Sequence, residues 1–141
     1  MKFGKTTFKD GNKYVGFCNQ DGPFGYGAMY YKDGSIYKGF FEDGDREGRG
    51  KYWGANGLFY KGQWFCDAPD GKGKLVYPNK EKYKGKVFDF KPDGYGTYFY
   101  NDGTKYIGEF KDGKKHGKGA EYNAKGKVVF EGIFQDNQRV N

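Results

Sequence analysis

The sequence predicts an all-β protein, an elongated single-sheet antiparallel β-meander of repeated hairpins. Two observations carry this prediction. The pattern Tyr-x-Gly-x-aromatic, then a polar turn, then Gly-x-Gly returns every 23 residues, and a fixed period of this length is typical of repeat architectures. Within each copy, apolar and polar residues alternate with a period of two, as at Tyr60, Gly62 and Trp64. That alternation indicates half-buried strands, not helices.

The copies divide the whole chain. We predict one repeat array over residues 1–141, which opens on the second half of a unit and closes on the first half of another. The successive units are a half unit at 3–10, full units at 11–33, 34–56, 57–79, 80–102 and 103–125, and a terminal half unit at 126–134.

Each full unit is expected to supply two short strands, giving eleven or twelve in all. The first strand carries Tyr-x-Gly. The second follows Gly-x-Gly, at residues 28–31, 51–53, 74–77, 97–100 and 120–122. Turn signals such as Asp33-Gly34 separate the units and supply the positive φ of a tight turn. Lys80 replaces glycine at one such turn, so we expect Asn79 to adopt the left-handed conformation there.

Glycine and aromatic residues dominate the composition. Aromatic residues make up 21% of the chain and hydrophobic residues only 35%, so tyrosine and phenylalanine must form the core. Four positions of the repeat hold 22 of the 26 glycines. Because glycine inside a strand costs about 0.5–1 kcal/mol relative to alanine, its recurrence predicts a steric demand: a bulge, a sharp bend, or a ring lying over the backbone.

The motif as a whole resembles the MORN repeat. The unit at 103–125 is closest, with Tyr106, Gly108, Phe110, His116 and the Gly-x-Gly pair at the expected positions. The resemblance implies a single-sheet module, usually without catalytic activity. Such arrays bind protein segments along a groove, self-associate, or hold proteins near membranes. No other copy has the histidine, which makes His116 a turn residue in this interpretation.

Two sets of aromatic positions are candidate interfaces. The first set is a column on the Tyr-x-Gly face that either lines a groove for a partner segment or simply forms the core; its members are Tyr14, Tyr37, Phe41, Tyr60, Trp64, Tyr83 and Tyr106. The second set is a stripe at the third position after Gly-x-Gly, predicted as a self-association surface; its members are Tyr30, Trp53, Val76, Phe99 and Tyr122.

A gradient along the chain favours an interface towards the N-terminal half. The residue after the Tyr-x-Gly glycine changes from apolar to charged; in order, it is Phe17, Phe40, Gln63, Lys86 and Glu109. Exposed apolar patches mark interaction sites, so the first two residues of this series are the better candidates.

The net charge is +7, which is compatible with acidic partners, anionic lipid or nucleic acid and specific to none. Most of the excess lies at the start of the chain and in the unit at 103–125. One turn of that unit is a candidate site for anionic lipid or another anion; its lysines are Lys111, Lys114, Lys115 and Lys118. Acidic residues occur in every full unit, so we expect no nucleic-acid binding. Any membrane binding by this one turn is expected to be weak and salt-sensitive.

The sequence contains no arrangement that predicts catalysis. It has one histidine, no nucleophile–histidine pattern and no metal-ligand spacing, so we expect no enzymatic activity, no metal and no cofactor. Cys18 and Cys66 lie two repeats apart and are predicted to be unpaired thiols, as is usual in a reducing compartment. We expect a cytoplasmic protein, with a position at the membrane periphery or the cytoskeleton as an option.

These observations predict a non-catalytic scaffold that binds a protein partner or a second copy of itself through an aromatic face of the sheet. A peripheral membrane tether that uses basic turns is one alternative. A carbohydrate-binding repeat array is another, since such arrays also combine glycine with aromatic residues; the Gly-x-Gly position in the repeat counts against it.

Overall fold

The computed structural model describes residues 2–140. Within this range the chain forms thirteen strands that follow one another in sequence order in one antiparallel sheet, which confirms the predicted all-β meander. The strands are β1 (Lys2–Thr7), β2 (Lys13–Asn19), β3 (Gly22–Tyr30), β4 (Ile36–Glu42), β5 (Asp45–Trp53), β6 (Phe59–Phe65), β7 (Ala68–Val76), β8 (Lys82–Phe88), β9 (Lys91–Phe99), β10 (Lys105–Lys111), β11 (Lys114–Tyr122), β12 (Val128–Gln135) and β13 (Gln138–Arg139).

The chain divides into two compact units, Met1–Pro69 and Asp70–Asn141, called here the N-terminal and C-terminal units. Strands β1 to β6 lie in the N-terminal unit and β8 to β13 in the C-terminal unit, while β7 starts at the boundary. Each unit contains the same type of hairpin.

The second strand of each hairpin is longer than predicted. It begins before Gly-x-Gly, as in β5 (Asp45–Trp53), so the glycine pair lies inside the strand and not ahead of it. The first glycine of the pair, for example Gly48, has a positive φ. The ladder shifts its register beside it, between Gly39 and Phe41, so this glycine forms a β-bulge, one of the demands inferred from the sequence.

The second glycine meets the glycine of Tyr-x-Gly directly across the ladder, for example Gly39 opposite Gly50. The Tyr37 side chain lies over both of them. A Cβ atom added to Gly50 would collide with its ring and hydroxyl, and one added to Gly39 would collide with its hydroxyl oxygen and with the facing backbone. The sequence correctly linked the recurring glycines to a ring over the backbone. The ring belongs to the same motif.

One turn differs from the prediction. Lys80 itself adopts the left-handed conformation, with φ of 77°, and Asn79 does not. The side chain of Asn79 instead accepts a hydrogen bond from the Glu81 amide at 3.0 Å, and the Lys80 amide donates to the Tyr77 carbonyl at 2.8 Å. The side-chain bond fixes Asn79 in an Asx turn, which leaves the following residue to take the positive φ.

Candidate functional site

One face of the sheet, called here the tyrosine face, is the core of each unit. Each tyrosine of Tyr-x-Gly is at most 1% exposed. Its hydroxyl donates to the carbonyl three residues further on, as in Tyr37 to Phe40 at 2.8 Å and Tyr83 to Lys86 at 2.7 Å. Burial raises the pKa of the Tyr14 phenol to about 12. The phenols are therefore neutral structural groups.

The aromatic column predicted as a groove lies entirely within this core. The most exposed of its members, Phe41, is only 4% exposed. The rings pack edge-to-face, for example Tyr37 with Trp64 at 4.9 Å between centroids. Because these side chains have almost no accessible surface, a groove along them is not open in this structure. We assign the set to the core; it is Tyr14, Tyr37, Phe41, Tyr60, Trp64, Tyr83 and Tyr106.

The opposite face, called here the open face, carries exposed rings in the N-terminal unit. Phe3 packs edge-to-face on Phe17 at 5.2 Å, and Tyr26 packs in the same way on Phe40 at 5.6 Å. These four residues, the aromatic patch, remain 37–64% exposed. Phe17 and Phe40 come from the apolar end of the predicted gradient, while Tyr26 lies directly opposite Phe40 in the ladder.

The predicted self-association stripe also lies on the open face, near the other end of the strands. Tyr30 and Trp53 are each 38% exposed, and Val76, Phe99 and Tyr122 are half-buried. In the N-terminal unit an apolar residue lies on the strand between two members of the stripe: Ile36 is opposite both Tyr30 and Trp53. In the C-terminal unit lysines take these places, because Lys82 and Lys105 both lie opposite Phe99.

Between the aromatic patch and this stripe lies a row of lysines that the sequence analysis did not single out. Lys38 is directly opposite Lys51, and Lys51 is directly opposite Lys61. We call these three residues the lysine row. The signal was present in the repeat: Lys38 and Lys61 are the x of Tyr-x-Gly, and Lys51 follows Gly-x-Gly. Because the glycines pair across the ladder, their neighbours must pair as well.

A shallow depression of about 170 Å³ joins the lysine row to the aromatic patch. Its floor is the backbone of Gly39, Gly50 and Gly62, and its walls include Tyr26 and Phe40. The remaining walls are cationic, namely Lys38, Arg49, Lys51 and Lys61. The site therefore combines apolar rings and positive charge over a glycine floor.

The structure separates the four lysines of the predicted basic turn. Lys111 and Lys114 are exposed and paired at the tip of a hairpin. Lys118 is exposed on the open face, opposite Ile133. Lys115 points to the core instead: its ammonium lies 5.2 Å from the Phe134 ring centroid and 3.4 Å from the Glu121 carboxylate. A contiguous cluster of four exposed lysines is therefore not formed.

Lys115 occupies the same position of the repeat as Arg46, which lies three repeats earlier and makes similar contacts. The Arg46 guanidinium lies 4.5 Å from the Trp64 ring centroid, and its Nε donates to Asp67 at 2.8 Å. Cations that stack on rings in this way stabilise a partly buried site. Both residues cover the edge of the aromatic core, and we assign them a structural role.

The part of the chain that the structure describes has no arrangement suited to a metal ion. Residues 2–140 contain no group of three or more His, Cys, Asp or Glu side chains positioned to hold a metal ion. The same range contains no helix of the length and apolarity needed to cross a membrane. Cys18 is half-buried, Cys66 is exposed, and neither forms a disulfide.

The fold and the open face define a class: a glycine-rich β-hairpin repeat module with a ring-packed core and one solvated face. Four consecutive matches to the MORN repeat model, at residues 37–59, 60–82, 83–105 and 106–128, span more than half of the chain. The chain belongs to the MORN repeat family.

Comparison with solved structures shows only distant likeness. The wild-type TCP10 domain of Danio rerio CPAP is 16% identical, with a TM-score of 0.41, over 92% of this chain and 66% of that chain. The SAS-4 (dCPAP) TCP domain, in complex with a proline-rich motif of Ana2 (dSTIL) of Drosophila melanogaster, is 18% identical, with a TM-score of 0.35, over 88% and 79%. The chain thus spans about two thirds of the length of the first of these domains. No curated protein matches the sequence.

Proposed function

We propose that the protein is a non-catalytic interaction scaffold that binds a segment of a partner protein on the open face of its N-terminal unit. The observation that carries this proposal is the aromatic patch. Tyr26 is 54% exposed and Phe40 is 47% exposed, although rings of this size are usually buried. Clustered exposed apolar surface on a soluble chain marks an interaction site.

The strands beneath the patch hold it in a fixed geometry. Tyr26 and Phe40 lie on β3 and β4, which pair over six consecutive positions from Gly25 opposite Phe41 to Tyr30 opposite Ile36. Aromatic anchors fixed on a rigid framework lose little entropy on binding, which favours affinity. Tyrosine and tryptophan are also enriched among the residues that dominate binding energy at interfaces.

The two cysteines, neither of which forms a disulfide, fit the cytoplasmic location that we propose for the scaffold. Cys66 is exposed, and thiols of this kind stay reduced in the cytosol.

Affinity capture with a matched pair of variants tests the scaffold function. The patch variant replaces Phe17, Tyr26 and Phe40 with serine, and the control replaces Phe65 and Phe88, which are 61% and 54% exposed but lie outside the patch. We expect the wild-type protein and the control to retain the same partner from an extract of the source cells, and the patch variant to lose it. Circular dichroism must show that both variants are folded. Partners that bind the patch variant as well as the wild-type protein would refute this site.

A peripheral membrane tether is the second candidate, because Lys111 and Lys114 are exposed together at one hairpin tip. With Lys115 directed to the core, fewer charges remain for a lipid surface, and each contributes on the order of 1 kcal/mol. Flotation with vesicles that contain or lack phosphoinositide, at several salt concentrations, tests the tether. Binding that disappears when Lys111, Lys114 and Lys118 are changed to glutamine supports it, and no binding at low salt refutes it.

A further inference from the structure

The lysine row is an unfavourable arrangement for the isolated protein. Like charges directly opposite each other on one face of a ladder are destabilising, and here Lys51 faces a lysine on both sides. No ion pair among residues 2–140 involves any of these three side chains. All three are exposed. The Lys38 ammonium lies 5.7 Å from the Trp53 ring centroid, and the charge of the row is otherwise balanced only by solvent and mobile ions.

No carboxylate lies among the residues that directly flank the lysine row. These flanking open-face positions are Tyr26, Ala28, Tyr30, Ile36, Phe40, Arg49, Trp53, Phe59 and Gln63. With the row they supply four cationic side chains and no acidic one, whereas the acidic residues Glu42 and Asp45 form a pair further along, at the hairpin end of β4 and β5. The row itself therefore presents positive charge between the aromatic patch and the stripe.

We propose that the lysine row binds an acidic segment of the partner protein, with the carboxylates on the lysines and the apolar side chains of that segment on the flanking rings. This inference rests on the proposed scaffold function and names the chemistry of the partner. Neighbouring strands are about 4.8 Å apart. Acidic residues three or four positions apart on a helix recur every 4.5–6 Å along its axis, so their spacing matches that of the row.

The surroundings favour a protein segment over other anions. The row crosses only three strands of the unit, a distance of about 10 Å, whereas nucleic-acid binding by charge relies on contacts with many phosphates. The depression beside the row is lined by the Tyr26 and Phe40 rings as well as by cations, which suits single side chains better than a layer of lipid head groups. A helical partner segment with acidic residues three or four positions apart and apolar residues beside them satisfies both the lysines and the rings.

The rings also distinguish this row from the similar pair in the C-terminal unit. Lys74 lies directly opposite Lys84, but the adjacent positions on one side are Lys72 and Lys86. That pair therefore has lysines where the lysine row has Tyr26 and Phe40 close by. We assign the acidic-segment site to the N-terminal unit for this reason.

Fluorescence anisotropy with a defined probe tests the proposal. The probe is a labelled helical peptide of about 20 residues in which glutamate recurs at intervals of three and four positions, with leucine beside each glutamate. The control peptide has glutamine for glutamate. The test variant is K38Q/K51Q/K61Q. The matched control is K111Q/K114Q/K118Q, which removes the same net charge elsewhere.

We expect the full chain to bind the glutamate peptide and not the glutamine peptide. The K38Q/K51Q/K61Q variant should weaken binding by about tenfold or more, since three ion pairs are lost, and K111Q/K114Q/K118Q should stay within about twofold. Lysine-to-arginine changes at the same three positions should restore binding, because the charge returns.

Three outcomes would overturn the inference. These are equal weakening by both triple variants, binding of the glutamine peptide as tightly as the glutamate peptide, and a single-stranded RNA probe that outcompetes the peptide and requires the same lysines. Capture of the natural partner separates this inference from the scaffold function. If K38Q/K51Q/K61Q retains the partner while the patch variant loses it, the scaffold function stands and the acidic-segment site is wrong.

Discussion

Replacement of Gly50 by alanine tests whether the tyrosine ring is the reason for the recurring glycines. Gly50 has no positive φ, so alanine fits the local backbone conformation. An alanine Cβ, however, would collide with the hydroxyl oxygen, Cε1 and Cζ of Tyr37. The colliding atoms all belong to a side chain that is 0% exposed and has no free space into which to move.

The expected cost follows from three contributions. Overpacking of a filled core costs about 1–3 kcal/mol. Displacement of the ring also breaks the 2.8 Å bond from the Tyr37 hydroxyl to the Phe40 carbonyl, which contributes about 1 kcal/mol. Replacing glycine by alanine in a strand stabilises the folded state by about 0.5–1 kcal/mol, which offsets part of this cost. Gly50→Ala should therefore destabilise the protein by about 1–3.5 kcal/mol.

Gly4 provides a matched control, because it occupies the same position of the repeat. A Cβ atom on Gly4 would meet nothing within 4 Å, so Gly4→Ala should be neutral or slightly stabilising. The free energy of unfolding is measured by urea denaturation for Gly50→Ala, Gly4→Ala, Tyr37→Ala and the Gly50→Ala/Tyr37→Ala pair. In the Tyr37→Ala background the Gly50 change should cost nothing. An equal cost with and without the ring, or an equal cost at Gly4 and Gly50, would refute the reasoning.

Three further predictions concern charge, pH and assembly. Lys51→Gln should raise the free energy of unfolding by about 0.5–1.5 kcal/mol at low salt, because two like-charge contacts are relieved, and the gain should shrink at high salt; a loss of stability, or no salt dependence, would contradict this. The Tyr14 and Tyr106 phenols have a pKa of about 12 in the folded protein against an ordinary value of 10. Their stabilisation is complete below pH 10 and is lost as the pH rises from 10 through 12, so denaturation monitored by circular dichroism should show stability falling in that window, and a flat profile would exclude it. If small-angle scattering shows a dimer, Trp53→Ser with Phe99→Ser should abolish it, and a dimer that persists would exclude the stripe as the contact.

The fold could be predicted from the sequence because the tyrosine ring and the glycines that make room for it belong to the same repeat. The spacing of Tyr37, Gly39 and Gly50 specified a ring over a glycine pair, and the period of two specified strands. The strand bounds were less accurate, since a glycine such as Gly48 is compatible with either a turn or a bulge. Only the pairing of both strands in three dimensions distinguishes these two roles.

The candidate site could be predicted only in part. Apolar residues occur on both faces of the second strand, so the alternation alone did not show which rings are buried. The role of Lys115 also depended on the neighbouring hairpin, where Glu121 and Phe134 receive its side chain. The lysine row was available from the sequence once the paired glycines had fixed the register.

NMR of the protein with ¹³C-methylated lysines tests the central claim most directly, because methylation keeps the charge and each lysine then reports separately. The protein is titrated with the glutamate peptide, and resonances are assigned by single Lys→Arg variants. We predict that the signals of Lys38, Lys51 and Lys61 shift together and saturate, while those of Lys111 and Lys114 stay in place. Shifts confined to Lys111 and Lys114, or small shifts spread evenly over all lysines, would contradict a binding site on the open face of the N-terminal unit.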